Sequence, residues 1–235
     1  MSAAAQHDRI TAYLRNAGLE SLVGREHDVE RAVRDLVDAM SEKVALTNPA
    51  SLYTYQVPMM TDDGTCSIVD QLAPVPYDLT AILEGRSEQT TRRLALLERL
   101  VERAQETTGS DWVGVYQRRA GSAGIPVLVK VSYIGRPSRA EFPLTPQFAE
   151  RSTNSTVGLT GRATVIDDVS KHVEAGGGFY VCDDGVQSEA CVPILDEARE
   201  VVGIVDAEAK ARGFYGAERL VVIAALAIVA RAVLP

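Results

Sequence analysis

Four strand-like segments in the second half of the chain lie between two helix-like segments, and this order constrains the fold strongly. A long helix is predicted from the N-cap residue Ser87 to Gly109. A second helix, apolar nearly all round, is predicted from Ala217 to Leu234. The four strands between them are Trp112 to Tyr116, Val127 to Tyr133, Ala190 to Leu195 and Val201 to Glu208. This order predicts an α+β fold with an antiparallel sheet and helices packed on one face.

Residues 1–78 are predicted to form a helical and irregular extension before this domain, which we place at residues 79–235. Helical spacing over residues 8–46, interrupted at Gly18 and Gly24, predicts two helices that cap the domain or form an oligomer contact. Such a contact would make the protein a homodimer.

Residues 47–78 are punctuated by prolines, with short β-rich pieces at 52–57 and 66–69. Irregular stretches of this length are usually lids or linkers, and the tyrosines and methionines argue against a linker. We expect this segment to lie over a pocket of the main domain or to clasp a partner subunit. Cys66 follows an Asp-Asp-Gly turn, which predicts that it is exposed and places it where it could approach Cys182.

Composition excludes several classes of protein. The chain has 235 residues, with 24 basic and 32 acidic side chains and a net charge of −8, and no basic run that would indicate nucleic-acid binding. The N-terminus does not resemble a secretory signal, and the longest apolar run, Leu220 to Ala230, is too short to cross a bilayer. Three cysteines without a CxxC pair favour the reducing cytoplasm over a disulfide framework.

A glycine-rich loop over residues 176–189 carries Cys182 between Val181 and Asp183 and leads into the strand that begins at Ala190. Such a loop can approach a ligand closely, and a cysteine at its rim is a candidate for thiol chemistry. The alternative is a buried and inert cysteine. Asp183 and Asp184 would raise the thiol pKa, so the reactive interpretation needs another group that favours the thiolate.

Asp206 and Glu208 are two positions apart on a strand, so their side chains face the same side of the sheet. Two close carboxylates raise the pKa of one of them, which suits a proton donor, although exposed acidic strand ends are also common. No phosphate-binding loop is present, and His7, His27 and His172 are not spaced as metal ligands, so no metal site is predicted from the histidines.

Four short motifs in order resemble those of a GAF domain, and more narrowly of the free methionine-(R)-sulfoxide reductases. They are Asp111 to Tyr116, Cys182-Asp183, Ser188-Glu189 and Asp206-Ala207-Glu208. The resemblance covers about residues 110–234.

The resemblance implies a pocket for a free amino acid. Trp112 and Tyr116 would form its aromatic wall, and Glu189, Asp206 and Glu208 would bind the ammonium group and the protonated sulfoxide. Cys182 would attack sulfur and become a sulfenic acid, with Asp183 as a further substrate-binding candidate. No cofactor is implied beyond an external thiol or a thioredoxin-type reductant.

The sequence departs from the family at its partner cysteines. Gly158-Leu159-Thr160-Gly161 replaces a Gly-Val-Cys-Gly turn, and the upstream resolving cysteine aligns near Arg139. The usual disulfide therefore cannot form. Cys191, which shares a strand face with Glu189, or Cys66 would substitute, or an external thiol would resolve the sulfenic acid.

Two other functions stay open. The pocket would also suit a diverged oxidative or biosynthetic enzyme in which carboxylates and a thiol hold a transition metal. A GAF sensor that only binds a small molecule is the non-enzymatic alternative.

Overall fold

The structure is a computed structural model that describes residues 3–41, 49–61, 66, 71–121 and 124–235. The helices are α1 (Ala3–Asn16), α2 (Glu26–Ser41), α3 (Glu88–Thr108), α4 (Pro146–Ala149), α5 (Thr153–Thr160), α6 (Val169–Glu174) and α7 (Ala217–Ala230). The strands are β1 (Thr54–Tyr55), β2 (Tyr77–Asp78), β3 (Trp112–Ala120), β4 (Pro126–Ile134), β5 (Glu141–Pro143), β6 (Thr164–Ile166), β7 (Ser188–Leu195) and β8 (Val201–Ala209). Among the helices so described, none combines the length and the apolar character needed to cross a bilayer.

The main sheet has six antiparallel strands in the order β5-β4-β3-β8-β7-β6. Two hairpins, β3–β4 and β7–β8, meet where β3 pairs with β8. The predicted α+β class with an antiparallel sheet is therefore confirmed. The long helices cover one face, and the short helices α4 and α5 lie on the other, where a second and smaller core contains Trp112, Tyr116 and Val157.

Local signals at the ends of α3 act as the sequence predicts. The Ser87 hydroxyl accepts the Thr90 N–H at 3.0 Å, and Gly109 ends the helix in the left-handed conformation with φ +70°. Helix α7 buries most of its residues against the sheet and the helices α2 and α3, as its apolar composition predicts.

The two N-terminal helices belong to the same hydrophobic core as the sheet. Leu14 of α1 and Leu36 of α2 are almost completely buried in it, together with residues of α3, α7 and the strands. The Tyr13 hydroxyl also donates to the carbonyl of Pro193 in β7 at 2.9 Å. The predicted helices over residues 8–46 correspond to α1 and α2, and residues 42–48 lie outside the described part of the chain.

The irregular segment packs along β4 and β5. The Tyr55 hydroxyl donates to the carbonyl of Lys130 at 2.7 Å, and the Tyr77 hydroxyl donates to the carboxylate of Glu141. The predicted strand over residues 52–57 is a 3₁₀ turn (Pro49–Tyr53) followed by the two-residue β1, and residues 67–70 lie outside the described residues.

The prediction that Cys66 is exposed was wrong. The residue is 2% exposed, because it forms an isolated bridge with Met60 and its thiol packs against Cys182.

Two connecting segments have well-defined local structure. Residues 79–84 form a series of turns. Ser152 caps α5, and Gly161 closes that helix with φ +67°.

Candidate functional site

The register of three central strands brings the acidic residues of the second core together. Glu208 of β8 lies opposite Trp112 of β3 on one side and opposite Glu189 of β7 on the other. Asp206 lies opposite Cys191. Directly opposed residues share a face of the sheet, so the three carboxyls and the Cys191 thiol point to the same side.

Aromatic rings form one wall of this site. The Trp112 and Tyr116 ring centroids are 6.2 Å apart, and the Trp112 indole N–H donates to the carbonyl of Arg136 at 3.0 Å. The indole ring lies against Gly114 and Gly135. A Cβ atom added at Gly114 would be 2.2 Å from the ring, and one added at Gly135 would be 2.5 Å from it. Glycine at both positions is what leaves room for the indole ring.

Helix α5, which lies across the strands, contacts two of the carboxyls. The Thr153 hydroxyl lies 2.8 Å from both carboxyl oxygens of Glu189, and the Asn154 amide donates to Oδ2 of Asp206 at 3.0 Å. Sequence reasoning missed both residues, because nothing in residues 152–155 shows that this helix faces the sheet.

Burial changes the acidity of the three carboxyls. Burial raises the pKa of Glu189, with further increases from the nearby Asp206 and Glu208. Burial raises the pKa of Asp206 to about 6, partly offset by the hydrogen bond from Asn154. Burial and Asp206 also raise the pKa of Glu208. The group therefore holds protons more tightly than exposed carboxyls do, and it can supply one to a bound molecule.

The Cys182 loop ends beside a second thiol. The sulfur atoms of Cys66 and Cys182 are 2.9 Å apart, longer than the roughly 2.05 Å of a disulfide, and both cysteines are free. The hydrogen bond from Cys182 lowers the pKa of Cys66 to about 7, against the opposing effect of burial. The same hydrogen bond and burial raise the pKa of Cys182, so the pair shares a single proton above neutral pH.

Three polar groups surround this thiol pair. The Tyr180 hydroxyl hydrogen-bonds to Cys66 and accepts a hydrogen bond from Arg139 at 2.8 Å, while the Arg139 backbone hydrogen-bonds to Cys182. The positive charges of Arg139 and Lys130 further lower the pKa of Cys66. These groups are the thiolate-favouring environment that the acidic loop sequence lacks.

Lys130 is a buried cation that sequence reasoning missed. It lies opposite Tyr116 on β4, is 0% exposed, and donates to the carbonyl and hydroxyl of Ser138 at 2.8 and 2.7 Å. Its amino group is 3.9 Å from the ring centroid of Tyr133. Burial lowers its pKa to about 7. The alternation of β4 points Lys130 inward, and that is the signal that would have identified it.

Two small cavities meet at Cys182. The inner one lies among the aromatic rings and all three carboxyls and has room for about one water-sized particle. The outer one opens toward Arg136, Asp183 and Lys210. Trp112, Ser138, Cys182 and Glu208 line both cavities, so these four residues lie between the acidic interior and the outside.

The predicted site residues occupy three different positions. Cys182, Trp112, Tyr116, Glu189, Asp206 and Glu208 meet at the inner cavity. Asp183 lies in the outer cleft, where Arg136 and Lys210 approach its carboxylate at 3.3 and 3.9 Å. Cys66 contacts Cys182, whereas Cys191 lies against Glu189 and Asp206. The roles assigned to these residues stay predictions.

Two of the three histidines come together on the surface, which their spacing in the sequence does not indicate. His7 of α1 and His27 of α2 have ring centroids 5.2 Å apart, and each approaches Glu30, at 3.7 and 3.5 Å. The three side chains could hold a metal ion, although the His27 side chain is 86% exposed.

Comparisons with known proteins place the fold. The type II free methionine-R-sulfoxide reductase from Thermoplasma acidophilum is 18% identical, with a TM-score of 0.53 over 62% of this chain and 94% of that chain. The free methionine-R-sulfoxide reductase from Neisseria meningitidis is 18% identical, with a TM-score of 0.50 over 66% of this chain and 82% of that chain. The GAF domain of an Acinetobacter phosphoenolpyruvate-protein phosphotransferase is 13% identical, with a TM-score of 0.46 over 66% of this chain and 87% of that chain. For the two reductases, the likeness at these identities shows the fold alone.

The family is shown by a sequence comparison. A search of curated proteins found no match to the chain. The family model described as the GAF domain matches residues 92–233, from inside α3 to just beyond α7. Because this match spans more than half of the chain, the protein belongs to the GAF domain family.

Proposed function

We propose that this protein is a thiol-dependent reductase of a small free amino acid that carries a sulfoxide, such as free methionine-(R)-sulfoxide. The observation that carries the proposal is the Cys66–Cys182 thiol pair, 2.9 Å apart at the edge of a cavity with aromatic walls and three buried carboxyls. The two reductases with the same fold are consistent with this chemistry.

The first step is attack by the Cys182 sulfur on the sulfoxide sulfur. A transient sulfur–sulfur bond forms and the sulfoxide oxygen takes up a proton. The oxygen then bonds to Cys182 as the substrate S–O bond and the sulfur–sulfur bond break, and the thioether leaves. The products are a thioether and a Cys182 sulfenic acid, so the substrate is reduced by two electrons and the cysteine is oxidised by two. Cys182 is assigned as the nucleophile because it lines both cavities.

The carboxyls have separate roles in this step. Glu208 lines the cavities beside Cys182, and burial raises its pKa, which favours the protonated form that can donate to the sulfoxide oxygen. Glu189 and Asp206 lie deeper and would bind the substrate ammonium group, whose charge favours their ionised forms. Trp112 and Tyr116 would pack against the apolar part of the substrate.

Cys66 would resolve the sulfenic acid. Its thiolate attacks the Cys182 sulfur, a disulfide forms, and the oxygen leaves as water after protonation. An external dithiol then reduces the disulfide. The low pKa of Cys66 makes it the better attacking group of the two candidate partners, because burial and three carboxyls raise the pKa of Cys191.

Substrate entry requires the Cys182 loop to move. The inner cavity has room for about one water-sized particle, which is far less than an amino acid occupies. The ion pairs of Asp183 with Arg136 and Lys210 hold the loop in its present position, and both cations are exposed to solvent, which weakens such pairs.

The test is turnover by the full-length protein. Free methionine-(R)-sulfoxide and a thioredoxin-type reducing system should yield methionine, and Cys182→Ser should abolish the product. Cys66→Ser should release about one methionine per chain and then stop with this reductant. Asp184→Asn, an exposed position in the same loop, serves as the matched control and should retain turnover. Full activity of Cys182→Ser would refute the proposal.

The hydrogen bond with Cys66 and burial raise the pKa of Cys182, which disfavours a nucleophilic thiolate and favours a second candidate, a GAF module that binds a small molecule without converting it. Calorimetric binding of the amino acid that is unchanged in Cys182→Ser, together with no methionine formed by the native protein, would support this function.

A further inference from the structure

Three potential metal ligands, two carboxyls and a thiol, lie close together at the inner cavity. One carboxyl oxygen each from Glu189 and Asp206 and the Cys191 sulfur lie within 4.8 Å of one another, and all three residues are buried. The sheet itself produces this arrangement. Glu189 and Cys191 alternate by two on β7, and Cys191 lies directly opposite Asp206 of β8.

One atom of this group has no hydrogen-bond partner. Oδ1 of Asp206 is buried and unpaired, although the residue is only 3% exposed. Asn154 donates to the other oxygen, Oδ2, which orients the carboxyl and leaves Oδ1 for another group. The Thr153 hydroxyl orients the Glu189 carboxyl in the same way. Side chains that orient ligands from behind are typical of metal sites.

We propose that Glu189, Cys191 and Asp206 bind a single divalent transition-metal ion such as Zn²⁺ or Fe²⁺. Two carboxylate oxygens and a thiolate suit a cation of intermediate softness, whereas Mg²⁺ and Ca²⁺ prefer oxygen ligands only. The fourth coordination position faces the inner cavity, which has room for about one water-sized particle. The site is therefore of the open kind, with three protein ligands and one exchangeable position.

Charge supports a cation here. Two carboxylates and a thiolate within 4.8 Å of one another in a buried site carry three negative charges, which a divalent ion largely neutralises. The ion binds the deprotonated ligands, so its affinity decreases as the pH falls.

The site does not depend on the proposed reductase function. The metal ion and the substrate ammonium group would use the same two carboxylates, so each excludes the other. The thiols also differ, since the reductase uses Cys182 and Cys66 whereas the metal uses Cys191. Failure of one proposal is therefore distinguishable from failure of the other.

The experiment uses Co²⁺ as a spectroscopic probe in the reduced full-length protein. His27→Ala serves as the parent, because His7, His27 and Glu30 form a separate surface group that could also bind the ion. We expect one Co²⁺ per chain by equilibrium dialysis, with a thiolate-to-cobalt charge-transfer band. The absence of bound Co²⁺ and of Zn²⁺ at near-neutral pH would overturn the proposal.

Variants identify the ligands. In the parent, Cys191→Ser should remove the charge-transfer band, and Asp206→Asn should weaken Co²⁺ binding at least tenfold. The double variant Cys66→Ser/Cys182→Ser should retain the band. The opposite pattern would assign the ion to the Cys66–Cys182 pair and overturn the proposal.

A measurement on the parent protein covers the case in which a buried variant fails to fold. X-ray absorption of the Zn²⁺ form should show one sulfur at about 2.3 Å and oxygen ligands at about 2.0–2.2 Å. Two sulfur ligands, or none, would contradict the assignment.

Discussion

The sulfur of Cys66 lies 2.9 Å from the sulfur of Cys182, although 116 positions separate the two residues in the chain. The contact joins the irregular N-terminal segment to the glycine-rich loop of the GAF domain. The Tyr180 hydroxyl hydrogen-bonds to one sulfur and the Arg139 backbone to the other, so the two thiols lie in a polar setting. This contact makes the acidity of each thiol depend on the other.

The first prediction concerns this dependence. In Cys182→Ala the pKa of Cys66 should rise from about 7 toward the ordinary thiol value of about 8.5, because the hydrogen bond from Cys182 is the largest cause of its lowering. Thiolate absorbance measured against pH reports the change.

Cys191→Ser is the control for that titration. Burial raises the pKa of Cys191, so its removal should leave the step near pH 7 in place. A thiolate titration step that stays near pH 7 in Cys182→Ala would show that Cys182 does not determine the pKa of Cys66.

The second prediction concerns the aromatic wall. Gly114→Ala should destabilise the protein by about 1–3 kcal/mol, because the new Cβ would lie 2.2 Å from the Trp112 ring. Urea unfolding measures the cost. In a Trp112→Ala background the same substitution should cost less than half as much, since the clash is gone. Equal costs in both backgrounds would mean that the indole does not need this space.

Period-two alternation explains which parts of the site were predictable. The alternation fixes the face that each side chain takes, so the sequence was sufficient to group Asp206 with Glu208 and Trp112 with Tyr116. The ends of α3 could also be predicted from the sequence, because the capping residues Ser87 and Gly109 act within one helical turn.

The other residues of the site depend on packing between distant segments. Thr153 and Asn154 enter the site because α5 lies across β7 and β8, and no local pattern encodes this. The exposure of Cys66 was wrongly predicted for the same reason, since the Asp-Asp-Gly sequence before it is a local signal and its burial against Cys182 is a long-range contact.

The third prediction tests whether the N-terminal helices belong to the core of the GAF domain. Leu36→Ala in α2 should destabilise the whole protein by about 2–5 kcal/mol, because Leu36 is 1% exposed in the core shared with the sheet. Its neighbour Val37 is 42% exposed, so Val37→Ala should change stability by no more than about 0.5 kcal/mol.

Unfolding followed by circular dichroism and by Trp112 fluorescence should show one coincident transition in both variants. If the helical signal of Leu36→Ala is lost before the fluorescence changes, the helices form a separate unit.

The last prediction concerns the pH dependence contributed by Lys130. Burial lowers its folded-state pKa to about 7, whereas an unfolded lysine titrates at about 10.4. Between these values the unfolded chain binds more protons than the folded one, so this residue makes stability rise with pH in that window. Below pH 7 the lysine is charged in both states, and the cost of burying the charge is present in full. The neighbouring Cys66, Cys182, Asp206 and Glu208 oppose the lowering without reversing it.

Lys130→Met removes this contribution. The free energy of unfolding of the native protein minus that of the variant should increase by about 2–4 kcal/mol from pH 7 to pH 10. Urea unfolding at several pH values measures the difference, and subtraction cancels the groups that both proteins share. Lys171→Met, at a position where the side chain is 80% exposed, should give a flat difference. A flat difference for Lys130→Met as well would mean that the folded protein keeps Lys130 charged throughout this range, and that the hydrogen bonds to Ser138 and the ring of Tyr133 stabilise the ammonium group as well as water does.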